Sequence, residues 1–142
     1  MILLEKSLEI FGEYFQGWDI ALSLTYLGNA VRLSGNLDEA RKIYLRALQT
    51  ALDAHSTPIA LETLLGLAHL YAQTDEPERT FELSFYILGH PSSIQETKDQ
   101  AGKMASEMEK MLTNHQVQAI KEGIPNLSLE VIAKRSSNSS SC

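Results

Sequence analysis

The sequence predicts an all-α protein in which antiparallel helix pairs stack on one another. Three observations predict this class. Apolar residues recur at helical spacing, as in Ile20, Leu24, Leu27 and Val31, which fall at i, i+4, i+7 and i+11. The same small and apolar residue types return forty positions later along the chain. Nothing in the chain has the period-2 alternation of a β-strand.

The forty-residue repeat is clearest when residues 24–48 are compared with residues 64–88. The corresponding pairs are Leu24 and Leu64, Leu27 and Leu67, Gly28 and Ala68, Val31 and Tyr71, Gly35 and Asp75, Ala40 and Thr80, and Leu48 and Leu88. The offset also runs backwards, because Leu8 lies forty positions before Leu48. The chain is therefore expected to open inside the second helix of an earlier repeat, as the end of a longer array.

The connections between the predicted helices are short, which makes neighbouring helices antiparallel. Gly35 and Asn36 suit a left-handed residue followed by an N-cap, with Glu39 as the capping-box partner. Pro58 and Pro77 suit the first turn of a helix, where a missing N–H breaks no hydrogen bond. Helices are expected at 1–15, 18–34, 37–54, 58–74, 77–89, 93–112 and 114–122.

These helices group into five segments. The last of them combines a short coda with a Ser-rich tail that is expected to be disordered from Lys134 onward, although Leu127, Leu129, Val131 and Ile132 are apolar enough to dock a short helix before it. The segments are a second helix of a truncated repeat (1–15), a helix-pair repeat (18–54), a second and more divergent repeat (57–90), C-terminal capping helices (92–123), and the coda with its tail (124–142).

Composition excludes several function classes. A formal net charge of -6 and a pI near 5.2 lack the basic footprint of a nucleic-acid or anionic-lipid binder. The chain has no apolar run of about 18 residues that would span a bilayer, and its first residues lack the pattern of a secretory signal. The single cysteine, Cys142, has no partner for a disulfide or a metal cage. A cytoplasmic location is expected.

Residues for catalysis, metal binding or cofactor binding are not found in a recognisable pattern. The four histidines, His55, His69, His90 and His115, form no i, i+4 pair. No serine has the glycine pattern of a nucleophile elbow, and no glycine-rich segment ends in lysine and serine as a phosphate-binding loop does. The sequence therefore predicts neither an enzyme nor a metal or cofactor site.

The segment from Leu24 to Ala47 resembles the tetratricopeptide repeat. It reads Leu24-x-x-Leu27-Gly28-x-x-Val31-x-x-x-Gly35-x-x-x-x-Ala40-x-x-x-Tyr44-x-x-Ala47. In this motif the two helices of a pair are expected to cross closely at Gly28 and Ala40, and the space around the crossing is expected to be filled by Leu27, Tyr44 and Leu48. A period of forty exceeds the usual 34 and is similar to the repeats of bacterial STAND-type signal-transduction ATPases and their associated transcription regulators. The resemblance implies a tetratricopeptide-like α-solenoid with a C-terminal capping helix, and a place at the C-terminal end of a larger regulator.

In this family the first helix of each pair lines the concave surface, and the resemblance implies where a partner would bind. Asn29 and Arg32 would pair with a peptide backbone and a carboxylate, because arginine binds carboxylates in a fork. The alternative for this face is simple solvation. The candidate partner-binding residues are Thr25, Asn29, Arg32, His69 and Gln73. The implied function is a protein–protein interaction module that serves as a sensor or scaffold.

The alternative function is a structural spacer or oligomerisation element with no ligand on its concave face. Its motivation is an aromatic cluster near the start of the chain, made of Phe11, Tyr14, Phe15 and Trp18. If the chain is a fragment, the apolar face of its first helix lacks a neighbour and would promote homodimerisation.

Overall fold

A computed structural model describes residues 17–137 of the chain. This part of the chain is helical throughout and contains no strand, which confirms the all-α class. The predicted helix at 1–15, the aromatic residues before Trp18 and the terminal Cys142 lie outside the described residues. The helices are α1 (Trp18–Leu33), α2 (Leu37–Asp53), α3 (Thr57–Gln73), α4 (Pro77–Gly89), α5 (Gln95–Glu109), α6 (Asn114–Gly123) and α7 (Leu129–Ser137), with a 3₁₀ turn at Ile124–Asn126 between the last two.

The predicted helix positions agree closely with the structure from α1 to α4 and at α6. The helix predicted at 93–112 was too long at both ends, because α5 begins at Gln95 and ends at Glu109. Residues 110–113 form a turn instead, in which Thr113 caps α6 by a capping box with Gln116. The Thr113 hydroxyl accepts from the Gln116 amide at 3.1 Å while the Gln116 side chain accepts from the Thr113 amide at 2.9 Å.

The first three connections are copies of one turn. Each has a single residue with positive φ, namely Gly35 (95°), His55 (55°) and Asp75 (60°). The amide that follows bonds the carbonyl five residues earlier, as in a Schellman motif. These bonds run from Asn36 to Val31 (3.3 Å), from Ser56 to Ala51 (2.9 Å) and from Glu76 to Tyr71 (2.9 Å). Gly35 and Asp75, which differ in residue type, therefore occupy equivalent backbone positions forty residues apart.

Consecutive helices pack against each other from α1 to α5, and α4 also meets α6. The first helices of successive pairs, α1, α3 and α5, contact one another in order. The largest core cluster extends from α1 through α5 to the 3₁₀ turn and α7, and it contains the fully buried Tyr44, Leu61, Leu64, Leu67 and Ile87. The helix pairs predicted from the sequence thus share one continuous core.

Two close helix contacts are made at the ring of Tyr44, which lies between two glycines. A Cβ atom on Gly28 of α1 would lie 2.7 Å from two ring carbons of Tyr44. A Cβ atom on Gly66 of α3 would lie 2.7 Å from its Cζ and 3.0 Å from its hydroxyl. The sequence predicted the close approach at Gly28. It did not single out Gly66.

The expected disorder from Lys134 onward is wrong for residues 134–137, which continue α7 to Ser137. The physical reason is that α7 has an inward side. Ile132 and Ser136 are buried, and the Tyr71 hydroxyl donates to the Ser136 carbonyl at 3.0 Å. Arg135 also pairs with Glu82 of α4 at 2.8 Å. The prediction that apolar residues dock a short helix here is therefore confirmed for Ile132 and for the partly buried Leu127 and Leu129. It is wrong for Val131, which is exposed.

Within residues 17–137, no helix combines the length and the apolar character that crossing a membrane requires.

Candidate partner-binding face

Side chains from α1, α3 and α5 meet on one surface, here named the α1–α3–α5 face. Two side-chain hydrogen bonds join the helices across it. Arg32 Nη1 donates to Gln73 Oε1 at 2.8 Å, which links α1 to α3. His69 Nε2 lies 3.4 Å from Gln100 Oε1, which links α3 to α5. The face comprises Tyr26, Asn29, Arg32, Glu62, His69, Gln73, Glu96 and Gln100.

The hydroxyl of Tyr44 organises one end of this face from below. It donates to Asn29 Oδ1 at 2.5 Å and accepts from Arg32 Nε at 3.0 Å. The pKa of Tyr44 is raised by its burial, against the opposing effect of the Arg32 guanidinium, so the phenol keeps its proton at neutral pH. A buried core residue therefore fixes the positions of two half-buried polar residues at the surface.

The guanidinium of Arg32 has further N–H groups that can donate to a ligand. A guanidinium has five N–H groups, and two of the Arg32 nitrogens donate within the protein, to Tyr44 and to Gln73. The remaining N–H groups are available to an incoming carbonyl or carboxylate. Because both existing bonds restrain the side chain, less conformational entropy is lost when a ligand binds than with a freely rotating arginine.

His69 lies beside this network and is neutral at pH 7. Burial lowers its pKa from the ordinary value of 6.5, the Arg32 charge lowers it further, and the hydrogen bond with Gln100 partly opposes both. A neutral imidazole has one donor and one acceptor nitrogen. This end of the face therefore presents one fixed positive charge together with amide and imidazole groups.

The other end of the face is acidic. The pKa of Tyr26 is raised chiefly by the Glu62 charge, then by burial and by the Glu96 charge, which places both carboxylates near the phenol. The pKa of Glu62 is raised from 4.5 by its burial and by Glu96. Tyr26 itself is 54% exposed. An exposed aromatic ring flanked by two carboxylates suits the apolar stem and positive head of a lysine or arginine.

Four of the five predicted partner-binding residues lie on this face, namely Asn29, Arg32, His69 and Gln73. The prediction for Thr25 is wrong in its geometry, because Thr25 is fully buried where α1 meets α3. Its hydroxyl lies 2.6 Å from the Thr63 hydroxyl, and each hydroxyl is 2.9 Å from the carbonyl four residues earlier. Thr25 therefore joins two helices and does not reach the surface.

Four contributors to the face were missed in the sequence. Tyr26, Glu96 and Gln100 were not considered, and Tyr44 was assigned only to the core. The signal for Tyr44 was its hydroxyl, because a buried tyrosine hydroxyl needs a partner. Asn29 and Arg32 lie 15 and 12 residues before it in another helix, and they become its partners only through the packing of α1 on α2.

Among the described residues, no cluster of three or more His, Cys, Asp or Glu side chains is arranged to hold a metal ion. Of the predicted aromatic cluster, only Trp18 is described, and its side chain is 47% exposed.

Comparison of the chain with protein-family models, with curated proteins and with solved structures finds no match.

Proposed function

We propose that this chain is a protein–protein interaction module that binds an extended peptide segment on the α1–α3–α5 face. The observation that supports the proposal is the Tyr44 network. A fully buried tyrosine orders Asn29 and Arg32, and Arg32 in turn bonds Gln73 on the next first helix. Polar groups that are fixed before binding lose little entropy on binding, which is how a shallow surface gains affinity.

The face favours a ligand of mixed charge. Arg32, His69 and Gln73 at one end suit carbonyl and carboxylate groups, and Tyr26, Glu62 and Glu96 at the other suit a basic side chain. Asn29 lies between the two ends along α1 and would bond the peptide backbone. A peptide with a basic residue and an acidic residue or free C-terminus several positions apart satisfies both ends.

The resemblance of residues 24–47 to the tetratricopeptide repeat supports the same proposal. In that family the first helices form the concave, partner-binding surface. We also propose that the helix pairs belong to a stacked array of which this chain is the C-terminal part. In this proposal the chain serves as the sensor or scaffold of a larger cytoplasmic regulator. No catalytic step is assigned to it.

The proposal is tested by selecting ligands from a random peptide library displayed on phage and measuring them by fluorescence anisotropy. Arg32→Gln is expected to weaken the selected peptides by about tenfold or more, because a charge-assisted hydrogen bond contributes about 1.5–3 kcal/mol. Tyr44→Phe keeps Arg32 and Asn29 but removes the hydroxyl that orders them, so a smaller loss of several-fold is expected.

Arg46→Gln is the matched control, because it removes the same charge from an exposed position on α2. Selected peptides that bind Arg32→Gln and the parent protein equally would show that the face is not the binding site. Failure to enrich any peptide, with a dimer found by sedimentation, would instead favour the alternative of an oligomerisation element, in which the exposed Trp18 contributes to the contact.

A further inference from the structure

The last helix, α7, occupies a groove on the side of the molecule formed by the second helices. It packs on α2 and is bonded to α3 through Tyr71 and to α4 through Glu82. Only nine residues long, it buries Ile132, Ala133 and Ser136, whereas Val131, Lys134 and Arg135 are exposed. This is the arrangement of an amphipathic helix lying in a groove.

The groove fits α7 closely on one side and loosely on the other. On the α4 side, the space among Tyr71, Leu83 and Ile132 amounts to about 30 Å³, which is the volume of about one water molecule. On the α2 side, a cavity of about 430 Å³ separates α7 from the apolar residues Leu45, Leu48 and Leu52. Three α7 residues line this cavity, namely Glu130, Ala133 and Lys134, and Ala133 is the apolar one, with a methyl group too small to fill it.

The groove also has charged residues on its two borders. Arg135 pairs with Glu82 on one border of the groove, and Lys134 and Asp53 both line the cavity on the other border. The body of the protein thus places an acidic residue on each side of the helix that it holds. The chain as a whole carries a net charge of -6, which adds a general attraction for a basic helix.

We propose that this groove is a second interaction surface, which binds a basic amphipathic helix of another protein, and that α7 occupies it when that partner is absent. The partner helix has a bulky apolar residue where α7 has Ala133 and basic residues that face Asp53 and Glu82. Filling the cavity against Leu45 and Leu52 gives it the affinity that α7 lacks. This surface is separate from the α1–α3–α5 face.

The test uses the full chain and a fluorescent, helix-stapled peptide with the sequence of residues 128–137 carrying Ala133→Leu. The peptide is expected to bind the parent protein weakly, because α7 competes with it. Ile132→Ser in the chain removes the buried anchor of α7 and is expected to raise the affinity about tenfold or more, since apparent affinity scales with the fraction of molecules whose groove is empty. Val131→Ser, at an exposed position of the same helix, is expected to leave it unchanged.

A second variant tests the proposal independently if Ile132→Ser fails to fold. Arg135→Glu weakens α7 through Glu82 without altering the core and is expected to raise the affinity several-fold. Leu45→Glu is expected to abolish peptide binding. Equal affinities of the parent, Ile132→Ser and Arg135→Glu proteins, or full binding to Leu45→Glu, would overturn the proposal.

Discussion

At the scale of single residues, the packing of this protein depends on two glycines that lie inside helices. Glycine in a helix interior costs about 1 kcal/mol relative to alanine, so its presence there calls for a packing reason. At Gly28 and Gly66 that reason is the ring of Tyr44, which leaves no room for a Cβ atom on either helix. The ring is fully buried and its hydroxyl is bonded on both sides, so it has no position to move to.

Gly66→Ala is therefore expected to lower the free energy of unfolding by about 1–3 kcal/mol, the usual cost of overpacking. Gly102→Ala in α5 is the matched comparison, because its nearest neighbour is Leu88 Cδ1 at an ordinary 3.7 Å. That substitution is expected to stabilise the protein by about 0.5–1 kcal/mol through helix propensity alone. Urea denaturation measures both, and a Gly66→Ala protein as stable as Gly102→Ala would refute the packing role of Tyr44.

The two glycines also show what the sequence does and does not reveal at this scale. Gly28 belongs to the forty-residue pattern and was placed correctly against Tyr44. Gly66 corresponds to Tyr26 in that pattern, so the repeat carries no information about it. Its role follows from how α2 lies between α1 and α3, which is a tertiary contact with no local signal. The same limit applies to Thr25, whose buried partner Thr63 is 38 residues away.

At the scale of elements, the three equivalent turns explain why the helix boundaries were predictable. Gly35, Pro58 and Pro77 mark these turns in the sequence, whereas His55 and Asp75 adopt positive φ without being glycine. The left-handed conformation costs a non-glycine residue about 1–2 kcal/mol, and less for aspartate, which tolerates it. The structure thus contains local strain at His55 that the surrounding helices maintain.

His55→Gly is expected to raise the free energy of unfolding by about 0.5–1 kcal/mol, because relief of the strain exceeds the added freedom of the unfolded chain. Asp75→Gly is expected to give a smaller gain in the free energy of unfolding, because aspartate adopts the left-handed conformation at lower cost. The control is Ala54→Gly at φ -85°, which adds chain freedom and relieves nothing, so it should destabilise. Urea midpoints at constant m-value measure the three variants. A gain at Ala54 as large as that at His55 would contradict the explanation.

Helix α7 is an element whose extent was not predicted from the sequence. Its apolar residues were noticed, but the basic and Ser-rich sequence from Lys134 onward has the composition of a disordered tail. What extends the helix to Ser137 is contact with the rest of the protein, through Tyr71 and Glu82. Each of these partners is more than fifty residues distant in sequence. Short helices of this kind owe their stability to tertiary packing and are poorly encoded locally.

At the scale of the whole molecule, the α1–α3–α5 face gives the stability a characteristic dependence on pH. Two of its groups, His69 and Glu62, have shifted pKa values with opposite consequences. The folded protein lowers the pKa of His69, chiefly by burial, so as the pH falls the unfolded chain binds a proton first. His69 therefore lowers the stability progressively as the pH falls below about its unfolded value of 6.5.

Glu62 acts in the opposite direction. The folded protein raises its pKa, first by burial and then by the Glu96 charge, so as the pH falls the folded state binds the proton first. Above the folded pKa of Glu62, the free energy of unfolding is lowered by the full cost of keeping this carboxylate ionised in the folded protein. This cost disappears as the pH falls to the unfolded value of about 4.5. The two groups thus contribute to the pH dependence of the stability with opposite signs.

The stability of the parent protein, His69→Gln and Glu62→Gln is therefore expected to diverge with pH, as measured by urea denaturation between pH 4 and pH 8. Relative to the parent, His69→Gln should gain stability as the pH falls from 7 towards 5, because glutamine keeps a polar partner for Gln100 and binds no proton. Glu62→Gln should be the more stable protein at pH 7 and should lose that advantage towards pH 4.5. Parallel pH profiles for all three proteins would mean that Arg32, Glu96 and Gln100 do not surround these groups as the fold arranges them. A peptide that neutralises the acidic end of the face should also reduce the difference between Glu62→Gln and the parent, which ties the electrostatics of folding to the proposed binding.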